Sequence, residues 1–333
     1  MVTTYLLAFL VALAVSAAIT PLVERTAVRV DILDRPGGRK LHASPVPRVG
    51  GVGVALGLAA ALGACVMFDA HAGIGTAGLE GLLPTISGAL LIFAVGLWDD
   101  IDPLSPALKL VAQVAAAAIV VGAGIGITRV TVLGTTYDLG AAGPLLTACW
   151  IVGITNAFNL LDGLDGLAGG LVTIAGATCA TVLIARGEHV GARLLVALVG
   201  ATVGFLAYNL HPARIFLGDA GSLLAGFLLS VTAITGQQKG ATTLAAGVPL
   251  LIFALPIADT GLAILRRVVL GQRDSAPGMR SRLRALGRVV RPDSDHLHHR
   301  LRKAGLPPTQ TVIVLYLLAC LFSATALYFM EVP

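Results

Sequence analysis

Residues 5–23, YLLAFLVALAVSAAITPLV, contain no charged side chain in nineteen positions. As a helix rising 1.5 Å per residue, this run is about as long as the ~30 Å hydrocarbon core of a bilayer is thick. No small-residue cleavage site follows before the charged stretch that opens at Glu24, so it reads as a retained first membrane helix rather than a removed signal. The rest of the chain has the same character. Of 333 residues, 56% are hydrophobic and only 12% charged, about half the charge of a soluble domain.

Further apolar runs of membrane-spanning length follow. Together they fall at 4–23, 50–69, 81–98, 107–126, 143–158, 166–185, 191–209, 221–236, 241–268 and 309–330. The expected fold is therefore an all-α integral membrane protein of about ten transmembrane helices, with residues 1–333 forming one polytopic domain. Six of the 23 basic residues lie between Arg25 and Arg48 and eleven between Arg266 and Lys303. Lysine and arginine gather on the cytoplasmic side, so the basic loops 24–49 and 269–308 are expected there, with both termini outside. The short link holding His211 and Arg214 faces the same way. Between the fourth and fifth runs, ITRVTVLGTTYDLGAAG (127–143) reads equally as a small external β-hairpin and as a connecting loop. Cys65, Cys149, Cys179 and Cys320 are far apart within apolar runs and read as small core residues, neither a metal site nor a disulfide framework.

With that topology, Asp99, Asp100, Asp102, Asp162, Asp165 and Asp219 all fall at the cytoplasmic face. An ion-coupled transporter or flippase would keep ionisable groups in mid-span and show broken helices in matching halves. Only Asp259, shortly after Pro256, has such a place, and no internal repeat is visible. A non-catalytic scaffold would not need carboxylates and basic loops on one face. Clustered carboxylates require a cation or an Arg/Lys-rich partner. Hard oxygen donors without soft ligands favour Mg²⁺ or Mn²⁺ over zinc, usually shared with substrate phosphates. The combination points to phosphoryl chemistry.

Four stretches carry the chemistry. In NAFNLLDGLDGLAGG (156–170), Asn156, Asn159, Asp162 and Asp165 recur every third residue, which places them on roughly one helical face lining a pocket. The plainer reading is a tight turn between two helices, with Gly166, Gly169 and Gly170 allowing close packing. In FLGDAGS (216–222), Asp219 precedes an apolar helix, where it suits a metal while backbone N–H groups suit a phosphate; a simple helix cap is the alternative. In RPGGRKLHASPVPRVGG (35–51), Arg35, Arg39, Lys40, His42 and Arg48 form a stiff basic loop that either grips an anionic group or sets topology against anionic lipid. In DSDHLHHRL (293–301), His296, His298, His299 and Arg300 read as hydrogen-bond donors to a diphosphate or as a solvated loop. Zinc lacks a fourth ligand at ordinary spacing.

In chain order, DRPGGRKLHASPVPRVGG, GLWDDIDPLSPALKL, NAFNLLDGLDGLAGG, FLGDAGS and HLHHRL resemble the motifs of the polyprenyl-phosphate N-acetylhexosamine-1-phosphate transferases, glycosyltransferase family 4. These are integral membrane enzymes that load a sugar phosphate onto a lipid phosphate carrier. HASPVPRVGG and HLHHR are most similar to the bacterial undecaprenyl-phosphate GlcNAc-1-phosphate transferases; the phospho-MurNAc-pentapeptide branch usually carries three consecutive histidines there.

The resemblance implies Asn159 and Asp219 on Mg²⁺ (or Mn²⁺), Asp165 with Gly163 and Phe216 around uracil, and Asp99 and Asp100 near the acceptor phosphate with Lys40. His296, His298, His299 and Arg300 would hold the donor diphosphate and sugar, and Asn156, Asp162 and Arg48 are expected in the same substrate pocket. The acidic motif departs from the usual DDxxD, reading Asp99-Asp100-Ile101-Asp102-Pro103, which leaves Asp102 without a role.

The implied reaction is attack by undecaprenyl phosphate on the β-phosphorus of UDP-GlcNAc at the bacterial cytoplasmic membrane, giving undecaprenyl-diphospho-GlcNAc and UMP. Another UDP-HexNAc or UDP-MurNAc-pentapeptide is the alternative donor. Expected partners are UDP-GlcNAc, undecaprenyl phosphate and membrane lipid; a homodimer is allowed, and nucleic acid is not a partner.

Overall fold

The computed structural model describes residues 1–36, 44–71, 80–132, 135–235, 247–273 and 296–331. Eight helices there are long and apolar enough to cross a bilayer: α1 (Val2–Arg29), α2 (Gly51–His71), α3 (Leu83–Ile101), α5 (Ala142–Leu160), α6 (Leu167–Ala185), α7 (His189–Asn209), α8 (Gly218–Thr235) and α12 (Pro308–Glu331). Between them, α4 (Pro106–Gly122) is apolar but has 17 residues. The protein is an all-α integral membrane protein.

Of the ninth apolar run, expected as one helix over 241–268, residues 241–246 lie outside the described residues, and the rest is not one continuous helix. It is divided at Phe253 into α9 (Gly247–Ile252) and α10 (Ala254–Arg273). Pro256 explains the break, because it has no N–H to give to the carbonyl four residues earlier and its ring crowds that turn. A short α11 (Leu297–Lys303) leads into α12.

The core is built around α8, every residue of which is buried from Ala220 to Ile234. A helix apolar on all sides belongs at the centre of a bundle. The helices α3, α5 and α6 pack on it, α7 packs on α6 and α1, and α1 packs on α2. Peripheral helices turn Leu6, Leu10, Leu90, Leu317 and Leu321 outward, as lipid solvation of the outer surface allows. Close approach of α1 and α7 depends on Gly204, where a Cβ would stand 2.5 Å from the Leu13 carbonyl oxygen. At one end of this contact, Tyr5 Oη meets His189 Nδ1 at 2.8 Å and Arg193 is paired with Asp69, which ties α1, α2 and α7 together.

The link after α4 carries a two-stranded antiparallel ribbon, β3 (Arg129–Val132) and β4 (Thr135–Asp138), with Arg129 opposite Asp138. Another short pair, β1 (Leu33–Asp34) with β2 (Val46–Pro47), was not anticipated from the sequence. The expectation of four core cysteines needs correction: Cys65 and Cys179 are buried, but Cys149 and Cys320 are exposed on outward faces.

Candidate active site

The end of α3, the start of α4, the end of α5 and the start of α8 meet at one end of the bundle. Their meeting is organised by the N-terminus of α8, whose first N–H groups have no partner within the helix. Gly218 N–H donates to Asp162 Oδ2 at 3.1 Å. The N–H groups of Asp219 and Ala220 donate to the two carboxylate oxygens of Asp100 at 2.8 and 2.9 Å. Asp100 is only 3% exposed, so this carboxylate serves as a helix cap supplied by another helix. Asp100 is the residue expected beside Asp99 at the acceptor phosphate, and both of its carboxylate oxygens accept from the α8 backbone.

Once α8 is capped in this way, the Asp219 side chain is turned toward α4 and α5. Its Oδ2 accepts from Lys109 Nζ at 2.6 Å and its Oδ1 from Asn159 Nδ2 at 3.0 Å. Asn159 Nδ2 also donates to Ser222 Oγ at 3.0 Å. Lys109 reaches Asp99 Oδ2 at 3.2 Å, and Asp99 Oδ1 accepts from Leu104 N–H at 2.8 Å. A single ammonium thus joins the carboxylates of two helices. Sequence reasoning missed Lys109, although the signal was present: it is the one charged residue within the 107–126 run, and an ionisable group in such a run needs a partner.

The single helical face proposed for Asn156, Asn159, Asp162 and Asp165 is corrected, because α5 ends at Leu160 and the two aspartates lie in the following turn. The four side chains go separate ways. Asn156 is bonded to Gln113, Asn159 to Asp219, and Asp162 to the backbone of Gly218. Asp165 Oδ2 meets His211 Nδ1 at 2.7 Å and Ala213 N–H at 3.1 Å. Of the expected glycine roles, close packing is clear at Gly170, where a Cβ would overlap the Tyr316 ring of α12.

The histidine motif docks on the same turn. His296 Nδ1 lies 2.8 Å from Asp259 Oδ2, and Leu297 N–H donates to Asp259 Oδ1 at 2.6 Å. This gives Asp259 the role that sequence alone left open: it anchors α11 to α10. The imidazole of His298 covers Gly163, where an added Cβ would stand 2.7 Å from Nε2. His298 is buried, and neither ring nitrogen has a hydrogen-bond partner among the described residues. Burial, with His299 beside it, lowers the His298 pKa to about 4, so the ring is neutral near pH 7. His299 is half-buried and Arg300 exposed.

Phe216 belongs to a backbone clamp: its N–H donates to Pro47 O at 2.8 Å, and its carbonyl accepts from Gly50 N–H at 2.9 Å. Arg48 Nε donates to the Asp100 carbonyl at 2.6 Å. Asp102 is exposed, apart from the cluster. Arg35 forms an exposed pair with Asp31 at 2.7 Å. Lys40, Arg39 and His42 lie outside the described residues, as does most of the 269–308 loop.

Desolvation, reinforced by the Asp219 charge, raises the Asp162 pKa from 3.8 to about 7. Between those values the folded protein holds a proton that the unfolded chain has released, so stability falls as pH rises through that window and levels off above it. Asp162→Asn is accordingly expected to exceed the wild type in stability by about 1–3 kcal/mol above neutrality, with the gap closing toward pH 4. Thermal unfolding in detergent across this range measures it; a gap independent of pH would contradict the assignment.

Comparison with known proteins gives the family of the chain. Residues 82–237, which carry Asp99, Lys109, Asn159 and Asp219, match the family model for glycosyl transferase family 4. The chain is 37% identical over 323 residues to a probable undecaprenyl-phosphate N-acetylglucosaminyl 1-phosphate transferase of Bacillus subtilis, covering 96% of this chain and 83% of that protein. A decaprenyl-phosphate N-acetylglucosaminephosphotransferase of Mycolicibacterium smegmatis is 32% identical, over 87% of this chain and 73% of the relative. The undecaprenyl-phosphate alpha-N-acetylglucosaminyl 1-phosphate transferase of Escherichia coli is 28% identical, over 90% and 77%. With a family match across the converging helices and relatives aligned along most of both chains, this protein belongs to glycosyl transferase family 4.

Proposed function

We propose that the protein transfers GlcNAc-1-phosphate from UDP-GlcNAc to undecaprenyl phosphate, releasing UMP. The supporting observation is the convergence of Asp99, Lys109, Asn159 and Asp219 at one end of a membrane bundle. At that boundary a water-soluble sugar nucleotide and the headgroup of a lipid can reach the same point. The names of the relatives supply the sugar and the class of lipid. The basic residues at 25–48 and 266–303 favour a cytoplasmic placement of this end in a bacterial cytoplasmic membrane, with both termini outside.

A phosphate monoester has its second pKa near ~6 and is largely dianionic at pH 7, so the acceptor needs no strong general base. Direct displacement is favoured over a covalent aspartyl intermediate. Both Asp100 oxygens are engaged in capping α8, and Asp99 is occupied by Leu104 N–H and Lys109. Lys109 holds positive charge where the transferring phosphoryl group and the departing UMP carry negative charge. The neutral His298 ring over Gly163 has one N–H, which is assigned to the donor diphosphate or sugar, and Asp165, Gly163 and Phe216 are assigned to uracil.

The donor set fits Mg²⁺ or Mn²⁺. Asp219, Asn159 and Asp99 offer hard oxygens, and the two carboxylates already converge on one cationic group, Lys109 Nζ. A bound divalent ion would supply charge stabilisation to the phosphates. The transporter reading loses its one mid-span candidate, because Asp259 is occupied by His296 and the Leu297 backbone.

Purified protein given UDP-GlcNAc and undecaprenyl phosphate should release UMP only when the lipid is present. Chelation of divalent ions should lower the rate at least ~10-fold, with recovery on adding Mg²⁺ or Mn²⁺. Absence of UMP with GlcNAc, GalNAc and MurNAc-pentapeptide donors alike would overturn the proposal, and a trapped aspartyl-phosphosugar would overturn direct displacement.

A further inference from the structure

Gln113 lies in the interior of α4, 3% exposed, within an apolar stretch where water cannot satisfy an amide. Its partner is Asn156 of α5. Gln113 Nε2 donates to Asn156 Oδ1 at 3.3 Å, and Asn156 Nδ2 donates both to Gln113 Oε1 and to the Val152 carbonyl, the latter at 2.9 Å. Both donors and the acceptor of the Asn156 amide are therefore used within the protein. Asn156, expected from its motif in the substrate pocket, is here paired inside the protein.

The position of this pair gives it a different role. Gln113 is four residues after Lys109 on α4, and Asn156 is three residues before Asn159 on α5. Residues at these spacings share a helix face, about one turn or ~5.4 Å apart. The α4–α5 seam thus carries two successive polar rungs. One is the Gln113–Asn156 amide pair; the next is Lys109 and Asn159, each bound to a different oxygen of Asp219.

We propose that Gln113 and Asn156 are positioning residues that set the rotation and height of α4 against α5, so that Lys109 and Asn159 reach Asp219 together. The helix needs such a device. It is a short apolar helix whose Leu108, Val111, Val114 and Ile119 are exposed, and side chains solvated by lipid give little preference for one rotation over another. A reciprocal amide pair favours one alignment, and a small rotation of α4 would leave the buried Gln113 amide without its partner, the half-buried Asn156. The kinetic part of this inference rests on the transferase reading; the geometric part does not.

The test compares Gln113→Leu, Lys109→Met and their combination with wild type. Gln113→Leu should lower kcat for UMP release on the order of 10- to 100-fold, as expected when a reacting constellation shifts by about an ångström, while KM for UDP-GlcNAc stays within about 3-fold. In the Lys109→Met background its further cost should be much smaller than in the wild type, because Lys109 is the group that α4 itself carries to Asp219. Exchanging the partners, as Gln113→Asn with Asn156→Gln, should recover activity lost by either single change.

Acylation of Lys109 by a water-soluble amine reagent, read by mass spectrometry, requires no turnover and should rise in folded Gln113→Leu. Wild-type kcat in Gln113→Leu, or losses that add to those of Lys109→Met and follow a fall in the folded fraction, would overturn the proposal. If wild type released no UMP with the donors above, the transferase reading would fail by itself. Acylation would then decide the positioning role, with unchanged labelling overturning it.

Discussion

Asp219→Ala is expected to lower UMP release by roughly 10³-fold, the scale on which a preorganised electrostatic group acts, while the protein remains folded. The reason lies in how the start of α8 divides its tasks. The cap of the helix comes from Asp100 and Asp162 binding backbone N–H groups, which alanine at position 219 retains. The Asp219 side chain instead holds Lys109 at 2.6 Å and Asn159 at 3.0 Å. Removing it leaves Lys109 with Asp99 alone and Asn159 with Ser222. The structural loss is modest, about 1–2 kcal/mol, since alanine is a good helix former and the pair is partly open to solvent. Asp219→Asn should be nearly as inactive, because an amide preserves shape without charge. Steady-state kinetics beside thermal unfolding separate the two effects; substantial activity in Asp219→Ala would remove this residue from the site.

Gly218→Ala should produce the largest loss of stability among single substitutions at the site, roughly 3–5 kcal/mol from left-handed backbone strain and overpacking together. Gly218 has φ +74°, a conformation that favours glycine. An added Cβ would overlap the Arg48 carbonyl oxygen and stand 2.6 Å from Asp100 Oδ2. The obstacles are a backbone atom and the carboxylate that caps α8, so relief requires moving the helix start away from its cap. Folded yield and UMP release should fall together. Gly153→Ala is the matched control: it lies within α5, where a Cβ meets nothing within 4 Å, and should gain about 0.5–1 kcal/mol from helix propensity. Comparable melting of Gly218→Ala and wild type would show that the α8 start can relax as the packing argument denies.

The sequence by itself determined the membrane class and the positions of most helices. Bilayer thickness sets a length, and an apolar run either meets it or does not, whatever surrounds it. It also determined the polar stretches that meet at the site, because aspartate, asparagine and glycine are conspicuous against an apolar background. Local rules did not determine what each polar group does. Asp99 and Asp100 are neighbours in sequence, yet one accepts Lys109 and the other caps α8, a difference set by backbone groups 119 and 120 residues from Asp100. Asn156 and Asn159 share a helix, but one faces Gln113 and the other Asp219. Lys109 and Asp259 found their roles through partners 110 and 37 positions away. Only the tertiary structure decided these assignments, because a hydrogen bond is directional and consumes its acceptor. Which carboxylates remain for chemistry depends on which N–H groups the packed helices bring to them.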